Sequence, residues 1–382
     1  MKMTYNKKAL ISTHDWIYPV YGGGGLRTLK AAEEFKKRNY EVVILAPSKI
    51  NEINGMRVYT LSPPTKKRSQ LLSVVKFNIK LLIYILKLGR DADIIFVHNT
   101  IAALGFFLLN KFLRKKIVLD VTDIHVEYLC GKDRTNIIER ILRPLLFGIE
   151  YGIIKSADRV IVVTEAMKQR CIQKGVEGRK IRVIYDGADV GRFSAGKCGG
   201  ADFNLIHLGL VDKQHGVPFI IQAMKIVLEK FPNTKLYVVG SGRNLPYVKK
   251  LADELGVYQN CIFTGTIDHA EVGEALRKAG IGIIPRPDNL ANNMVVTLKL
   301  LEYWASGTAV ISSRLNGISE IAEDKKNILF FEPGDHYDLA SKINFLLANP
   351  QELARMQKNS REAVARFDWK RIIPEIVDAS LN

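Results

Sequence analysis

The sequence predicts two doubly wound α/β domains in tandem, each a parallel sheet with helices on both faces. Three observations lead there. Short apolar runs alternate with amphipathic helical stretches over nearly the whole chain, the rhythm that builds parallel sheets. That rhythm breaks at a small, glycine-rich stretch, 194–202, and then restarts. And 382 residues exceed what one ordinary hydrophobic core serves.

In the first half, Ala9–Ser12, Glu41–Ala46, Ile94–His98, Ile117–Val121 and Arg159–Val163 read as buried strands, separated by helical patterns such as Thr28–Lys37 and Ile137–Lys155. The second half repeats the order. Strands Asn204–Leu208, Lys235–Val239, Cys261–Thr264, Ile281–Pro285 and Ala309–Ser312 alternate with helices Val217–Lys230, Leu245–Leu255, Ala270–Ala279 and Leu298–Ala305. Two helices over 336–365, the triplet Phe367-Asp368-Trp369 and a last helix close the chain. The expected domains are residues 1–193, joined by a returning helix over 367–382, and residues 201–366. Each offers the carboxyl ends of its strands as a binding edge.

Composition narrows the function classes. Hydrophobic residues at 47% and charged residues at 25% are those of a folded globular protein. The 56 Lys and Arg against 39 Asp and Glu leave +17, which implies attraction to an anionic partner: nucleic acid, an acidic membrane or phosphorylated substrates. Cys130, Cys171, Cys198 and Cys261 are scattered and without clustered histidines. That argues against a zinc site or disulfide framework and points to reduced thiols in the cytoplasm. No signal peptide and no membrane-spanning run is visible.

Several stretches carry chemistry. Tyr21 and the four glycines Gly22–Gly25 fall between the first strand and the first helix, where backbone can approach an anionic ligand. Val239–Gly242 has the same place in the second half, with a plain tight turn as its alternative. Asp91-Ala92-Asp93 precedes a strand and reads as a solvated turn. Within Pro285–Gly307 a strand ends, a polar loop follows and a helix begins near Thr297. Its free N–H groups, with Lys299 in the first turn and Glu302 one turn on, form a seat for a diphosphate; the bland alternative is an exposed Lys and Glu. Lys66–Arg90 carries seven basic and no acidic residues among aliphatic ones, extended by Lys111, Arg114, Lys115 and Lys116. It suits a helix lying on an anionic bilayer, or equally helices with one face in the core and basic solvent faces. No nucleic-acid motif accompanies the charge, and nucleic acid is not expected as a partner.

With these residues in view, the chain resembles the family 4 retaining glycosyltransferases, whose fold is the two-Rossmann arrangement called GT-B. Gly24-Gly25 with Asn39-Tyr40-Glu41-Val42 is similar to the family's Gly-Gly loop and its entry into the second strand. Ser156-Ala157-Asp158 with Val162-Val163-Thr164, and Asp186-Gly187-Ala188-Asp189 with Arg192-Phe193, follow in family order, as do Gly209–Gly216, Phe263-Thr264-Gly265 and Ile284-Pro285. Glu302–Val310 resembles "EAMAxGxPVV", Gly317–Glu320 resembles "GGIPE", and Phe367–Trp369 resembles the closing "FSW".

The resemblance implies a nucleotide-diphosphate sugar, of UDP or GDP type, held mainly by the second domain, with no cofactor and usually no metal. It places the base near Phe263–Gly265, the ribose near Glu302 and the diphosphate against Val296, Thr297, Leu298 and Lys299, with Gly24, Gly25, Gly209, Lys213, His215, Gly240, Thr264 and Gly265 completing the donor site. Transfer would retain the anomeric configuration, in a cleft where the two domains close over the donor. Three departures follow. Met294 stands where the family's E-x7-E motif has its first acid. Leu210 and His215 replace the usual phosphate-binding Arg and Lys, so that Lys213, His215 or Lys299 would compensate. The first-domain catalytic residue falls near Thr122, leaving Asp123, His125 or Glu127 for that role beside Lys299 and Glu302. The expected activity is sugar transfer to a lipid-linked or surface-glycan acceptor by a cytoplasmic enzyme, peripheral on the inner membrane face. The alternative is a catalytically weak homologue acting as a partner subunit.

Overall fold

A computed structural model describes residues 5, 7–20, 22–62, 70–130, 137–194, 203–268 and 271–382. Tyr21, Lys66, Cys198, Ala270, the side chain of Cys130 and nearly all of the linker 194–202 lie outside the described residues. The chain divides into two compact units: Met1–Tyr185 with Lys370–Asn382, and Asp186–Trp369. Residues 186–193 and 367–369, expected in the first domain, group with the second. Their backbones bond to one another there: Ala188 N–H donates to Phe367 O (2.9 Å) and Trp369 N–H to Ala188 O (3.1 Å).

The first unit is an eight-stranded sheet of β1 (Lys7–Thr13), β2 (Tyr40–Ala46), β3 (Glu52–Ile53), β4 (Met56–Thr60), β5 (Ile94–His98), β6 (Lys116–Val121), β7 (Arg159–Val162) and β8 (Ile181–Val183). The spatial order is β3-β4-β2-β1-β5-β6-β7-β8, parallel except for the β3–β4 pair. The central strands are buried on both faces, every residue of β5 for instance, and so they read as near-continuous apolar runs. The closing helix Trp369–Leu381 delivers residues 370–382 to this unit: Asp378 pairs with Arg38, and Leu381 O accepts Lys116 Nζ (3.0 Å).

The second unit has six parallel strands: β9 (Leu205–Leu208), β10 (Leu236–Val239), β11 (Cys261–Gly265), β12 (Ile281–Ile284), β13 (Ala309–Ser313) and β14 (Leu329–Phe331), in the order β11-β10-β9-β12-β13-β14. Its core clusters Ile220, Met224, Val238, Ile283, Ile311 and Phe331 under the helices Val217–Lys230 and His336–Ala348. The order reverses at β9, and in the first sheet at β1. In doubly wound sheets the crevice beyond the strand carboxyl ends at such a reversal is where ligands bind.

Two sequence expectations change. The glycine run is no loop: the helix begins at Gly23 and runs to Lys37. A Cβ at Gly24 would sit 2.3 Å from Asp15 Oδ2, and one at Gly25 2.1 Å from Trp16 O, so the glycines let this helix press against the loop after β1. And Lys66–Arg90 contributes a helix, Gln70–Leu88, with both proposed faces at once. Phe77, Leu81 and Ile85 are buried, while Val75, Ile79, Ile83 and Leu86 stand exposed among Lys76, Lys80 and Lys87.

Candidate functional site

In the second unit, Gly209 follows β9 and Pro285-Arg286 follow β12, the two strands flanking the reversal. The helix Leu298–Ser306 starts at the same edge. Tyr303 pins it to the sheet: its hydroxyl accepts Leu208 N–H (2.9 Å) and donates to Ile206 O (3.3 Å). Trp304 Nε1 donates to Asn327 O (2.9 Å), and Gly307 ends the helix at φ 73°. At its start, Thr297 makes no side-chain cap, so the first-turn amides are not closed off by their own N-cap residue.

Lys299 and Glu302 are buried (7% and 8% exposed), not solvated as the bland alternative required. Lys299 Nζ has no hydrogen-bond partner among the described residues, and neither does Arg286 Nε. Burial and the Arg286 charge pull the Lys299 ammonium down from 10.5 to about 7. Its Nζ lies 3.3 Å from where a Cβ on Gly209 would be, so the glycine opens the space beside the cation. Arg286 is held by Asn292 Oδ1 (3.2 Å) and approaches His215 Nε2 (3.5 Å). His215 Nδ1 lies 2.5 Å from Asp212 Oδ1, and burial lowers its pKa to about 4, which keeps the ring neutral. His207, buried on β9, is likewise held neutral by burial and by the Lys299 charge. Buried Lys299 and half-buried Arg286 repel each other and each has an unused, shielded donor; a multivalent anion is the ligand that offsets both.

The other residues expected at the donor site lie along this edge in different settings. Val296 and Thr297 are buried, Leu298 is half-buried, and Lys213 and Thr264 are exposed. Gly240 and Gly265 exchange a backbone bond (Gly240 N–H to Gly265 O, 2.8 Å). A Cβ at Gly240 would lie 1.9 Å from Gly209 O, so close backbone packing already accounts for that glycine. Met294, in place of an acid, is buried, and Leu210 is 46% exposed.

The first unit gathers ionisable groups at its own strand ends. Asp120, buried on β6, accepts Arg27 Nε and Nη2 (both 2.8 Å) and faces His98 Nδ1 at 2.9 Å. Burial raises the Asp120 carboxyl, but Arg27 and His98 outweigh it and hold it well below its ordinary value. Burial in turn lowers His98, and the Asp120 bond and charge override that to raise it. The other His98 nitrogen, Nε2, lies 3.5 Å from Asp15 Oδ2. Asn99, at φ 64°, uses its side-chain oxygen to accept the amides of Thr122 (2.9 Å) and Asp123 (3.2 Å). His125 is one-third exposed, with Nδ1 3.4 Å from Glu150 Oε1, and it meets His14 edge-on with ring centroids 5.4 Å apart. Burial lowers His125, but Glu150 more than compensates and raises it. Burial drops His14 to about 4.

Asp123 and His125 therefore stand at the carboxyl edge of the first sheet, just past β6. Glu127 does not serve there: it is buried and consumed by Arg170 (2.7 Å) and the Tyr151 hydroxyl (2.8 Å). Sequence reading passed over Arg286, His14, Asp15, His98, Asp120, Arg27 and Glu150. His14-Asp15, His98 and Arg286 each stand at or just past a strand end, a usable signal; Arg27, Asp120 and Glu150 join only through long-range packing.

Comparison with known proteins adds the lineage of both units. Residues 200–363 match the model of the glycosyl transferases group 1, and residues 21–192 that of glycosyltransferase family 4. An uncharacterized glycosyltransferase of Methanocaldococcus jannaschii is 23% identical over 391 residues, 95% of each chain. Sucrose-phosphate synthase from Thermosynechococcus elongatus superposes with a TM-score of 0.80 over 97% of each chain at 20% identity. Anabaena HepE in complex with UDP-glucose gives 0.76 over 97% of this chain and 98% of that one at 17% identity.

Proposed function

Because the chain is a glycosyltransferase of the GT-B type, with a group 1 domain over 200–363 and a family 4 domain over 21–192, we propose that it moves a sugar from a nucleotide-diphosphate sugar to a lipid-linked or surface-glycan acceptor, with retention of anomeric configuration. The observation that carries this reading is the pair of buried, partnerless donors Arg286 Nε and Lys299 Nζ beside an uncapped helix start. A diphosphate satisfies all three features at once, and the charge that grows on it as the sugar departs is what the two cations stabilise. Arg286 takes the place left by Leu210. Glu302 serves the ribose and Thr264-Gly265 the base; Gly209, Lys213 and His215 border the phosphates. In the first unit, His125 and Asp123 are the groups assigned to the reacting end, with Gly24 and Gly25 letting the first helix close against Asp15 and Trp16 beside them. No resident cofactor is assigned. UDP is the first base to try, since HepE binds UDP-glucose.

The acceptor side of the proposal places the first unit on the inner, anionic membrane face through the helix Gln70–Leu88, whose exposed stripe mixes aliphatic residues with lysines.

A thermal-shift screen against UDP, GDP and ADP, followed by turnover with the corresponding sugars, tests the donor assignment. A nucleotide at about 100 times its dissociation constant stabilises by roughly 2.7 kcal/mol. Absence of any such shift, together with no hydrolysis or transfer from any UDP- or GDP-sugar, rules the proposal out.

A further inference from the structure

The first unit holds a second concentration of positive charge, at the opposite end of its sheet from the site above. A pocket of about 720 Å³ opens where β6, β7 and β8 begin, and six cations line it: Arg114, Lys115, Lys116, Arg159, Arg179 and Lys180. Asp158 is the one carboxylate in the lining, and it is occupied in accepting the Ile117 amide (2.8 Å). Arg179 and Lys180 share Glu177 (2.7 and 4.0 Å). Lys116 donates to Leu381 O (3.0 Å) and Arg159 to Asn382 O (3.1 Å), whereas among the described residues neither Arg114 nor Lys115 forms an ion pair. Burial, and after it the Arg159 charge, hold Lys116 below its ordinary value against the opposing pull of Asp158.

Two features show that this is more than a basic surface. Arg114 ends the helix Leu104–Leu113 in the left-handed conformation, φ 49° and ψ 43°, where glycine is the low-cost residue. And the same helix leads directly into an apolar face. Phe112 is 79% exposed and Leu108 54%, one turn apart. On either side pack the helices Gln70–Leu88, with its stripe Val75, Ile79, Ile83 and Leu86, and Ile137–Ser156, with Leu145 and Ile149 exposed. A Cβ on Gly105 would touch Ile85 and Leu82, and one on Gly152 would touch Phe107, so the three helices adjoin.

We propose that this pocket receives the phosphate headgroup of an anionic phospholipid while the adjoining three-helix face, Phe112 foremost, sinks into the acyl boundary. A bilayer is the partner that presents phosphates and hydrocarbon side by side, in the order in which Arg114-Lys115 and Phe112 present their complements. The inference rests on the peripheral membrane placement proposed above and gives it an orientation: the amino-terminal edge of the first sheet faces the lipid, and the carboxyl edge with His98 and His125 is left to the reaction.

The test is flotation on phosphatidylcholine vesicles with and without phosphatidylglycerol at low salt. It compares wild type with R114Q/K115Q and with K225Q/K230Q, a pair of exposed lysines in the second unit that removes the same charge. Each cation at an anionic surface contributes about fivefold to partitioning. The pocket pair should therefore bind roughly 25-fold more weakly, the control pair should stay close to wild type, and both should melt like wild type and keep their response to UDP. Equal loss in both pairs, or none in the pocket pair, overturns the pocket while leaving the membrane placement standing. Failure of wild type to float overturns both. Glycerol 3-phosphate separates lipid from a soluble phosphate: thermal stabilisation by it that R114Q/K115Q abolishes, without vesicle binding, also overturns the proposal.

Discussion

Replacing Lys299 by methionine should make this protein more stable and at the same time cost it its donor. Lys299 Nζ is buried without a hydrogen-bond partner among the described residues, and its pKa falls from 10.5 to about 7 through burial and the Arg286 charge. The gap between those values corresponds to on the order of 5 kcal/mol of cost for holding the ammonium charged inside the fold. Below pH 7 the lysine is charged in both folded and unfolded chains and the cost is complete. Between pH 7 and 10.5 the folded protein has shed the proton while the unfolded chain retains it, so stability rises with pH across that window. Above 10.5 the term vanishes. Methionine has a similar volume and no charge, so K299M should gain roughly 2–5 kcal/mol at pH 6, less at pH 9, and lack this rise of stability with pH. Urea unfolding of both proteins at pH 6, 7.5 and 9 reads the slope, and calorimetry with UDP and GDP reads the loss of binding. A K299M protein less stable than wild type at pH 6 would refute the reasoning, because it would mean that Lys299 already has a partner inside the fold. Unchanged nucleotide affinity would refute the functional half.

Other expectations follow from the same geometry. Donor affinity should decline by up to tenfold per pH unit above about 7, as unliganded Lys299 loses the proton that a bound diphosphate favours; calorimetric titrations from pH 6.5 to 9 check this, and the residual binding of K299M should lack the dependence. Arg286→Gln should weaken nucleotide-diphosphate binding by about 10- to 100-fold, a charge-assisted bond's worth, with little change in melting temperature. Asp120→Asn strands the buried Arg27 and His98 together and should cost roughly 3–5 kcal/mol in denaturant unfolding. Glu150→Gln should lower the His125 pKa, visible in an NMR titration of its ring protons, because the carboxylate that outweighs its burial is gone.

Much of this architecture was legible in the amino-acid order. The strand positions, the restart of the rhythm after 194–202, the helix beginning at Leu298 and the returning helix near the end all follow from apolar periodicity, and periodicity is a local property. Thr297, Lys299 and Glu302 drew attention because ligand edges follow strand ends, which spacing locates, whereas Gly209 and Val296 came from the family resemblance. The edge strands β3, β8 and β14 and the neighbouring β4 escaped notice, since two to five residues carry little pattern to stand out.

What the order of residues left open is which charges meet. Arg27 and Asp120 are 93 positions apart and bond with both sides buried; Thr100 and Glu150 combine to orient His125 from different elements. Arg286 becomes Lys299's neighbour only when β12 and the helix Leu298–Ser306 pack at one sheet edge. The glycines before the first helix looked like a free loop, and only packing against Asp15 and Trp16 shows why no side chain fits there. A pKa, a partnerless donor or a pocket of cations depends on distances of a few ångströms between remote segments. Local sequence determines which elements form; burial and charge pairing, which set the chemistry, exist only once those elements are packed together.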